Sequence, residues 1–560
     1  MAEQNIQRLL AQRSFTELGA RERARALLDA GSFRELLDPF ARLMSPWLPK
    51  QGIVPQADDG VVVAKGLIDG APAVVIAIEG AFQGGSLGEV GGAKIAGSLE
   101  LAVEDNKGGT PTRAVLLLET GGVRLQEANL GLAAIAEIQA AIVELREFQP
   151  VIGLVAGPVG CFGGMSIAAG LCSYLLVTRE ARLGLNGPQV IEQEAGLDEY
   201  DSRDRPFIWS LTGGEQRHAS GLVDGYVADD VEAIRSELHG LFAKGKPELE
   251  RSRRHAWFLE RLRAVDTSVQ ADAAAVRSPG LRQMPGLPRS MNMTTAQEQR
   301  GLHWFQALAG DAQSIPGLPA SLRVADGELA GQAVRYLAVI ADANNSFPRA
   351  RNGEVGLLEG WGLAQAVDEA IEADRDQAHK RALIAIVDVP SQAYGRREEA
   401  YGIHQALAGA VDAYARARLA GHAVIGLLVG KAMSGAFLAH GYQANRLIAL
   451  RDAGVMVHAM GKAAAARITL RSVDELEALA ASVPPMAYDL DNYASLGLLA
   501  EVLDVEQAVQ PTAADLAQVK DALGRALADI AEAPRDLRNR LGAANRAASS
   551  QVRELLRAQW

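Results

Sequence analysis

Short apolar runs alternate with segments of helical periodicity along this chain, and the alternation occurs twice in the same order. The runs are rich in β-branched residues, which predicts buried strands. They occupy residues 61–66, 73–78, 114–118 and 151–156 in the first half, and 322–325, 333–341, 382–387 and 423–429 in the second. We interpret this pattern as an internal duplication of a β-α-β-α unit, which belongs to the α/β class.

Turn and helix-start signals occupy matching places in the two halves. Asp69-Gly70 predicts a hairpin turn between the first two strands. In the second half, a loop with Asp326-Gly327 and Gly331 fills this place. The sequence Gly-Glu-Val-Gly occurs at residues 88–91 and again at 353–356. Each copy is predicted to open a long helix.

Two glycine-rich segments, residues 157–164 and 430–436, each lie between a predicted strand and a predicted helix. Each is predicted to be a turn that opens a long apolar helix. Such a turn leaves backbone N–H groups unpaired at the positive end of a helix dipole. We therefore expect two sites for negative charge. A polar loop precedes each turn at a similar distance, starting at Glu119 in the first half and at Asp388 in the second.

Composition excludes several classes of protein. A chain of 560 residues predicts at least two domains. Its net charge of −12 argues against a nucleic-acid binder. Cys161 and Cys172 are the only cysteines, which argues against a disulfide framework and a zinc-type cysteine cluster. The first residues lack the pattern of a signal peptide, so we expect a cytoplasmic location.

Residues 151–177 carry no charge and are long enough to span a bilayer. Six glycines and Pro158 divide them, which favours a buried strand, turn and helix over a membrane helix. Residues 1–45 predict one or two amphipathic helices. Residues 511–560 predict an Ala/Arg-rich helical tail.

Residues 245–300 differ in character from both halves. They predict a helix followed by an extended linker with Pro279, Pro285 and Pro288. Arginines are dense in the helical part, and we expect a solvated helix face, with phosphate binding as the alternative. These arginines are Arg251, Arg253, Arg254, Arg261 and Arg263.

Three segments of the first half match, in order, the signatures of acyl-CoA carboxyltransferase N-domains, which belong to the crotonase-like superfamily. They are residues 82–89 (Phe-Gln-Gly-Gly-Ser-Leu-Gly-Glu), 119–127 (Glu-Thr-Gly-Gly-Val-Arg-Leu-Gln-Glu) and 157–164. The chain more closely resembles the β and γ subunits of biotin-independent malonate decarboxylase, joined in one chain. Its γ-like segments are residues 387–399, 431–442 and 455–465.

The resemblance implies two tandem crotonase-like, carboxyltransferase-type ββα-superhelix domains with flanking helices. The first would be a β-subunit-like N-type domain at residues 1–244, followed by the helix and linker at 245–300. The second would be a γ-subunit-like C-type domain at residues 301–510, followed by the helical tail at 511–560.

The resemblance also implies a reaction, the decarboxylation of malonyl-S-acyl-carrier protein to acetyl-S-acyl-carrier protein and CO2. Loss of CO2 leaves an enolate whose charge collects on the thioester oxygen, so donors fixed in advance around that oxygen are needed. Crotonase-like folds supply two such donors, which map here to Gly121-Gly122 and Gly163-Gly164. Tight helix–strand packing is the alternative role of these glycines.

In the second half, the resemblance maps the equivalent hole to Gly435-Ala436 and the loop 390–392. In carboxyltransferases that hole faces the biotin carbonyl, and here it would face the departing carboxylate or CO2. A relic that serves only packing is the alternative. Ser434 is predicted either to donate to the carboxylate or to cap the following helix.

The enolate must finally be protonated at carbon. Gln392, Tyr394 and His458 lie in γ-like segments and are candidates to place a water or to give a proton. The sequence does not choose among them. Cys161 lies in the first glycine turn, but no adjacent base is evident, so we expect it to have a packing role.

Further residues are assigned by the resemblance to the pantetheine arm of the thioester. Four residues flank the first hole, and for them positioning of this arm and a local ion pair are equally good interpretations: Glu119, Arg124, Gln126 and Glu127. The assigned residues are Gly84, Gly85, Ser86, Arg124 and Gln126.

The implied partners are an acyl-carrier protein with a phosphoribosyl-dephospho-CoA prosthetic group, an acetyl-S-ACP:malonate ACP transferase and a second copy of the chain. No covalently bound cofactor, biotin, metal, nucleic acid or membrane is expected. Two alternatives remain, a biotin-dependent carboxyltransferase component and a non-catalytic scaffold.

Overall fold

The computed structural model describes residues 12–267, 276–277 and 299–560. Each half of the chain builds one sheet covered by helices, so the predicted α/β class is confirmed. The linker prolines Pro279, Pro285 and Pro288 lie outside the described residues, and so do residues 1–11.

The first sheet has the strand order β1-β2-β3-β4-β5-β6-β7. Its first two pairs are antiparallel and the others are parallel. The strands are β1 (Arg34–Leu36), β2 (Val61–Ile68), β3 (Ala71–Ile78), β4 (Arg113–Leu117), β5 (Val151–Val155), β6 (Tyr174–Val177) and β7 (Gly225–Tyr226).

The second sheet repeats this plan. Its order is β14-β12-β11-β10-β9-β8, β8 and β9 are antiparallel, and β13 pairs with the end of β11. The strands are β8 (Leu322–Leu329), β9 (Gln332–Val339), β10 (Ala382–Val389), β11 (Val424–Met433), β12 (Arg446–Leu450), β13 (Met456–His458) and β14 (Glu501–Leu503).

The helices cover the sheets and connect the parallel strands. In the first half and the segment after it they are α1 (Ala20–Leu27), α2 (Glu89–Lys107), α3 (Ala128–Leu145), α4 (Gly164–Leu171), α5 (Pro188–Ala195), α6 (Arg205–Thr212), α7 (Gly214–Ala219), α8 (Val231–Lys244) and α9 (His255–Arg263). In the second half they are α10 (Arg300–Ala309), α11 (Leu357–Ala373), α12 (Arg396–Ala400), α13 (Ile403–Ala420), α14 (Ser434–Ala439), α15 (Lys462–Ile468), α16 (Val473–Ala480), α17 (Leu490–Ser495), α18 (Ala513–Glu532) and α19 (Ala547–Gln559).

The two hairpins differ in where they turn. Asp69-Gly70 forms the turn between β2 and β3, as predicted. The prediction for Asp326-Gly327 is wrong, because both residues lie inside β8, where Asp326 forms an ion pair with Arg335 on β9. The turn is Ala330-Gly331, and both residues have positive φ.

The second glycine-rich segment is not a turn. β11 continues through Met433, because residues 431–433 pair with β13. The helix that follows begins at Ser434 and has only 6 residues. α4 of the first half is also short, with 8 residues, so the prediction of long helices after both segments is wrong.

The predicted start of the second-half helix is also wrong. Residues 353–356 do not open it, because Gly353 has a φ of 91° and Val355 bridges to Gln392. α11 instead begins at Leu357, where the side chain of Glu359 accepts from the N–H of Gly356 (3.0 Å). Its counterpart in the first half, α2, begins at Glu89 as predicted.

One hydrophobic core passes through both halves of the chain. α4 of the first half packs against α13 of the second so closely that a Cβ on Gly170 would lie 2.8 Å from the Cβ of Ala408. The start of α4 also contacts α14, since a Cβ on Gly164 would lie 2.7 Å from Leu438 Cδ1. The two helices that follow the glycine-rich segments are therefore neighbours within one chain.

The flanking segments match the predictions in part. Residues 34–36 form strand β1 rather than helix, because Leu36 pairs with Val63 on β2. The tail is helical as predicted, and α19 lies on α2, where a Cβ on Gly97 would be 3.1 Å from Leu556 Cδ1.

The arginine-rich segment is not uniformly solvated. Arg253, Arg254 and Arg263 are exposed, but Arg251 is buried and donates to Gln405 Oε1 (2.8 Å). The expected solvated face is therefore wrong for Arg251, which packs against α13.

One helical stretch in the part of the chain that the structure describes, Leu125–Leu145, is long and apolar enough to cross a membrane, and 89% of its apolar window is buried inside the protein. It is a core helix, and burial accounts for its apolar composition. Residues 151–177 form β5, a turn and α4, as predicted, and they also contain strand β6, which was not predicted.

Candidate active site

A cavity of about 540 Å³ lies where the two halves meet, and residues of both halves of the same chain line it. The ends of β4 and β5 and the start of α4 contribute one wall, and the ends of β10 and β11 contribute the other. Of the sequence-predicted site residues, the cavity wall contains Gly84, Ser86, Gly121, Gln126, Gly163, Gly164, Gln392, Tyr394, Ser434 and Gly435.

The two glycine pairs of the first half lie against each other. A Cβ on Gly122 would lie 3.0 Å from the Cα of Gly163, and both residues have positive φ, 99° and 61°. A side chain is excluded at both positions by contact as well as by conformation. The loop after β4 and the start of α4 are thereby held in backbone contact at the cavity.

Hydrogen bonds within the chain occupy most of the predicted donors. The N–H of Gly121 donates to Gly84 O (2.9 Å), and that of Gly163 donates to Leu185 O (2.8 Å). The N–H of Gly122 donates to Thr120 Oγ1 (3.0 Å). These three N–H groups are not free to bind a ligand.

Two neighbouring N–H groups, those of Val123 and Gly164, have no acceptor among the described residues. Both residues line the cavity. Val123 follows the glycine pair of the loop, and Gly164 is the first residue of α4, where the helix dipole is positive. Their donors are the ones this wall leaves open for an oxyanion.

Acidic side chains explain the glycines at position 157, just after β5, and at position 430, within β11. Glu119 accepts from the N–H of Val159 (3.2 Å), and a Cβ on Gly157 would lie 1.8 Å from its carboxylate. In the second half, Asp388 accepts from the N–H of Lys431 (3.1 Å), and a Cβ on Gly430 would lie 2.1 Å from its carboxylate. The two halves thus share one device, a carboxylate that bonds the backbone beside the cavity.

In the second half, a side chain of the same chain already accepts a hydrogen bond from a backbone N–H at the start of α14. Gln392 accepts from the N–H of Gly435 through Oε1 (3.1 Å). Its Nε2 donates to Asn186 Oδ1 (2.8 Å), and Asn186 donates to Ala393 O (3.1 Å). Gln392 is 6% exposed, so this chain of amides is nearly buried. Gln392 is fixed by both halves.

Ser434 has a strained backbone at the cavity wall. Its φ is 55°, a left-handed conformation that costs about 1 kcal/mol for a residue with a Cβ. Its hydroxyl makes no hydrogen bond to any residue that the structure describes, and no side chain caps α14. The capping alternative is therefore not realised, and the hydroxyl is open to the cavity.

Tyr394 is half-buried and lines the cavity. Burial raises the pKa of its phenol above the usual value, and the negative charges of Glu194 and Glu354 raise it further. An interaction with Ser391 acts in the opposite direction. The phenol therefore keeps its proton at neutral pH.

His458 is the clearest correction among the candidate proton donors. It does not line the cavity, is 1% exposed and stacks on Tyr488, with ring centroids 3.7 Å apart. Its Nδ1 lies 2.8 Å from Met460 O. Burial lowers the pKa of its imidazole to about 4. It is a neutral structural histidine.

Arg124 is a correction among the predicted arm contacts. It is 1% exposed and lies outside the cavity wall. Its Nη1 donates to Asp59 Oδ1 (2.7 Å) and to Glu127 Oε2 (2.8 Å), so the ion-pair alternative is the one observed. Because Glu127 also accepts from the N–H of Glu89 (3.2 Å), this cluster fixes the loop after β4 to the start of α2.

Three other predicted residues lie behind the cavity wall rather than in it. Gly85 packs on the backbone, since a Cβ there would lie 2.1 Å from Glu119 O. Gly122 and the buried Ala436 are also not part of the lining. Cys161 is buried, and burial raises the pKa of its thiol, which is consistent with a packing role.

Sequence reasoning missed Val123, Arg182 and Asn186, all of which line the cavity. Val123 was one residue from the predicted glycine pair. Nothing in the sequence distinguishes Arg182 or Asn186 from other polar loop residues, because their places depend on how the segment after β6 crosses the cavity.

Two family models match the chain, one to each half. Residues 11–244 match the carboxyl transferase domain, and residues 350–560 match the malonate decarboxylase gamma subunit. Two sheets of one plan with a cavity between them, together with the match to the carboxyl transferase domain, define an enzyme of carboxyltransferase type.

Relatives refine this class. The malonyl-S-ACP:biotin-protein carboxyltransferase MADC of Malonomonas rubra is 40% identical over 255 residues, which are 44% of this chain and 80% of MADC. MADD of the same organism is 36% identical over 164 residues, 29% of this chain and 56% of MADD. A chain of a solved Pseudomonas malonate decarboxylase hetero-tetramer, in complex with malonate, is 77% identical and covers 49% of this chain and 99% of its own length, with a TM-score of 0.48.

The chain belongs to the malonate decarboxylase family. The resemblance inferred from its sequence segments and the crotonase-like carboxyltransferase fold are thereby confirmed.

Proposed function

We propose that this chain, an enzyme of the malonate decarboxylase family, decarboxylates a malonyl thioester carried on an acyl-carrier protein, and that it does so without biotin. The observation that carries the proposal is the cavity of about 540 Å³ between the halves, with the open N–H groups of Val123 and Gly164 in its wall. These donors suit a thioester oxygen that becomes an enolate oxygen.

In the proposed reaction, the bond between C2 of the malonyl group and its carboxylate breaks. The electron pair passes into an enolate, CO2 leaves, and C2 takes a proton to give the acetyl thioester. The charge on the thioester oxygen grows as the bond breaks, and the two N–H groups stabilise it because they are already oriented. One such donor is typically worth about 3–4 kcal/mol of transition-state stabilisation.

The second half faces the other end of the malonyl group. Ser434 presents an unbonded hydroxyl there, and Gln392 presents an amide fixed by Asn186 and Gly435. We assign these groups to the departing carboxylate. Tyr394, which keeps its proton at neutral pH, is our candidate to protonate C2 directly or through a water.

The filled donor of Gly435 supports the proposal that biotin is not used. In carboxyltransferases the equivalent hole faces the biotin carbonyl. Here Gln392 Oε1 already accepts from that N–H, so a second carbonyl would have to displace it. The opposing candidate is transfer of the carboxyl group to a biotin protein, which the names of MADC and MADD favour.

The wider setting belongs to the same proposal. The substrate arm would be a phosphoribosyl-dephospho-CoA group on a carrier protein, and a transferase would exchange acetyl for malonyl. The similar Pseudomonas enzyme is a hetero-tetramer, which supports partner subunits here. We also propose that the chain self-associates, that it acts in the cytoplasm, and that its domains divide near residues 244, 300 and 510.

The test is to measure CO2 release from malonyl-S-carrier protein by the purified chain, with avidin present and biotin absent. Turnover unaffected by avidin supports the proposal. Full inhibition by avidin, relieved by added biotin, would establish the biotin-dependent alternative. No turnover with authentic carrier would leave a scaffold role.

A further inference from the structure

Arg182 is a cavity-lining cation that has no acidic partner. It lies on the segment after β6, which runs beside the loop between β5 and α4, with the N–H of Cys161 donating to Arg182 O (2.9 Å). Among the described residues, no carboxylate forms an ion pair with its guanidinium. Most cations this close to the interior of the chain are paired, as Arg124 is.

The guanidinium is held in place without being neutralised. It stacks between two aromatic rings, 4.5 Å from the centroid of Trp209 and 5.3 Å from that of Phe162. Its Nη2 donates to Pro158 O (2.8 Å) and to Val159 O (3.3 Å). Stacking and neutral carbonyls fix the plane of the group and leave its full positive charge.

One nitrogen of the guanidinium, Nη1, remains available. Nη1 makes no hydrogen bond to the described residues and is not a buried atom. Burial and the nearby positive charge of Arg205 lower the pKa of Arg182 from its usual value, as expected for a cation with no carboxylate beside it among the described residues. The group nevertheless stays charged at neutral pH.

The position of the group selects the ligand. Pro158, its hydrogen-bond partner, is exposed, so the guanidinium lies at the outer rim of the cavity. A thioester whose oxygen lies at the N–H groups of Val123 and Gly164 would extend its arm outward through the mouth of the cavity. An anion held at the rim is therefore expected to belong to that arm rather than to the malonyl group.

We propose that Arg182 forms an anion subsite at the cavity rim that binds a phosphate of the arm carrying the malonyl thioester. This inference rests on the proposed function for the identity of the arm. A charged guanidinium with a free Nη1 suits a phosphate oxygen, since such pairs are short, charge-assisted hydrogen bonds.

The test measures binding by calorimetry and needs no turnover. The probes are coenzyme A and pantetheine, which share the thiol arm and differ in phosphate. We expect the chain to bind coenzyme A more tightly than pantetheine. Arg182→Gln is expected to lower the affinity for coenzyme A by about tenfold and to leave the affinity for pantetheine unchanged. Arg182→Lys, which keeps the charge, recovers part of the loss. Raising the salt concentration weakens coenzyme A binding to the wild type more than to Arg182→Gln.

Arg261→Gln is the matched control. Arg261 also stacks on a tryptophan, 4.6 Å from the Trp257 centroid, and donates to a backbone carbonyl, that of Ser220 (2.9 Å), but it lies outside the cavity. It is expected to leave both affinities unchanged.

Several outcomes would overturn the inference. Three concern the two probes: Arg182→Gln loses the same affinity for coenzyme A and pantetheine, it loses no affinity for coenzyme A, or the wild type does not prefer coenzyme A to pantetheine. Two concern other ligands: Arg182→Gln loses affinity for free malonate, or it loses affinity only for the carrier protein without its arm. The last would assign the anion to a carboxylate of the carrier surface. Absence of decarboxylation would count against the proposed function alone, because these binding results do not depend on it.

Discussion

The two halves of this chain share a sheet plan but treat the start of the helix beside the cavity differently. In the first half, the loop after β4 and the start of α4 leave the N–H groups of Val123 and Gly164 open. In the second half, Gln392 fills the N–H of Gly435, and the strand before α14 extends to Met433. The shared plan places a helix start beside the cavity in each half, and a single glutamine side chain occupies the donor in one of them.

The difference also extends to the carboxylates behind the wall. Glu119 accepts from the backbone and pairs with the buried Arg23, whereas Asp388 accepts two backbone N–H groups, those of Lys431 and Gly301. The carboxylate in the first half is held by a charged partner, and the one in the second half is held by neutral backbone donors. The predictions below separate the halves by these contrasts.

The largest effect is expected at the open donor of α4. Gly164→Pro removes the N–H at the first position of the helix, where proline is otherwise tolerated. We expect kcat to fall about 100- to 1000-fold, as for loss of one oxyanion donor. Single-turnover decarboxylation of malonyl thioester measures it.

Gly164→Ala is the control for this variant. It adds the same Cβ against Leu438 and Ile135 but keeps the N–H. A similar loss in both variants would show that packing, not donation, makes Gly164 necessary.

The next effect concerns stability. Glu119→Gln keeps an acceptor for Val159 but leaves Arg23, 7% exposed, without its counter-charge. We expect the free energy of unfolding to fall by about 3 kcal/mol. Asp388→Asn replaces one acceptor oxygen by an NH2 group, so it loses one hydrogen bond from a neutral backbone N–H and leaves no buried charge unpaired, and it is expected to cost about 1 kcal/mol. Urea unfolding of both variants compares them, and equal losses would remove the distinction between the halves.

The smallest effect concerns His404, on α13 of the second half. It is fully buried, and neither ring nitrogen has a partner among the residues described. Burial, together with the charges of Arg217 and Arg251, places the pKa of its imidazole well below the usual value. Below pH 6.5 the unfolded chain therefore binds a proton that the folded chain does not. The free energy of unfolding falls by about 1.4 kcal/mol for each unit by which the pH falls in that range.

His404→Leu removes both this pH dependence and the unpaired nitrogens. We expect the variant to be about 1 kcal/mol more stable at pH 7, and its advantage to grow as the pH falls. His404→Gln is the control, since it removes the titration but keeps a polar group. An unchanged advantage between pH 7 and pH 5.5 would contradict the neutral state of His404.

The periodicity of the chain was sufficient to predict four strands of each sheet, because buried parallel strands are continuous apolar runs bounded by turn residues. It did not predict the outer strands β1, β6, β7, β12, β13 and β14. The prediction failed where pairing with a distant segment determines the secondary structure. Residues 431–433 became strand because β13 pairs with them, and Asp326 stayed in a strand because Arg335 faces it. Neither partner is adjacent in sequence.

The site was predictable to the level of segments. Gly121, Gly163, Gly164 and the Gln392 and Ser434 segments do line one cavity, but individual donors did not follow from the motif. The N–H of Gly163 is occupied by Leu185 and that of Val123 is open, which depends on hydrogen bonds between distant segments. Arg124 and His458 were assigned by motif, and only their burial identifies them as structural.

The central claim is that the first half forms the enolate and the second half handles the carboxylate. It is tested most directly by exchange of the methyl hydrogens of an acetyl thioester in D2O, measured by mass spectrometry beside decarboxylation. We predict that Gly164→Pro loses both reactions, whereas Gln392→Ala loses about tenfold in decarboxylation and keeps exchange. Parallel loss of exchange and decarboxylation in Gln392→Ala, or normal exchange in Gly164→Pro, would contradict this division between the halves.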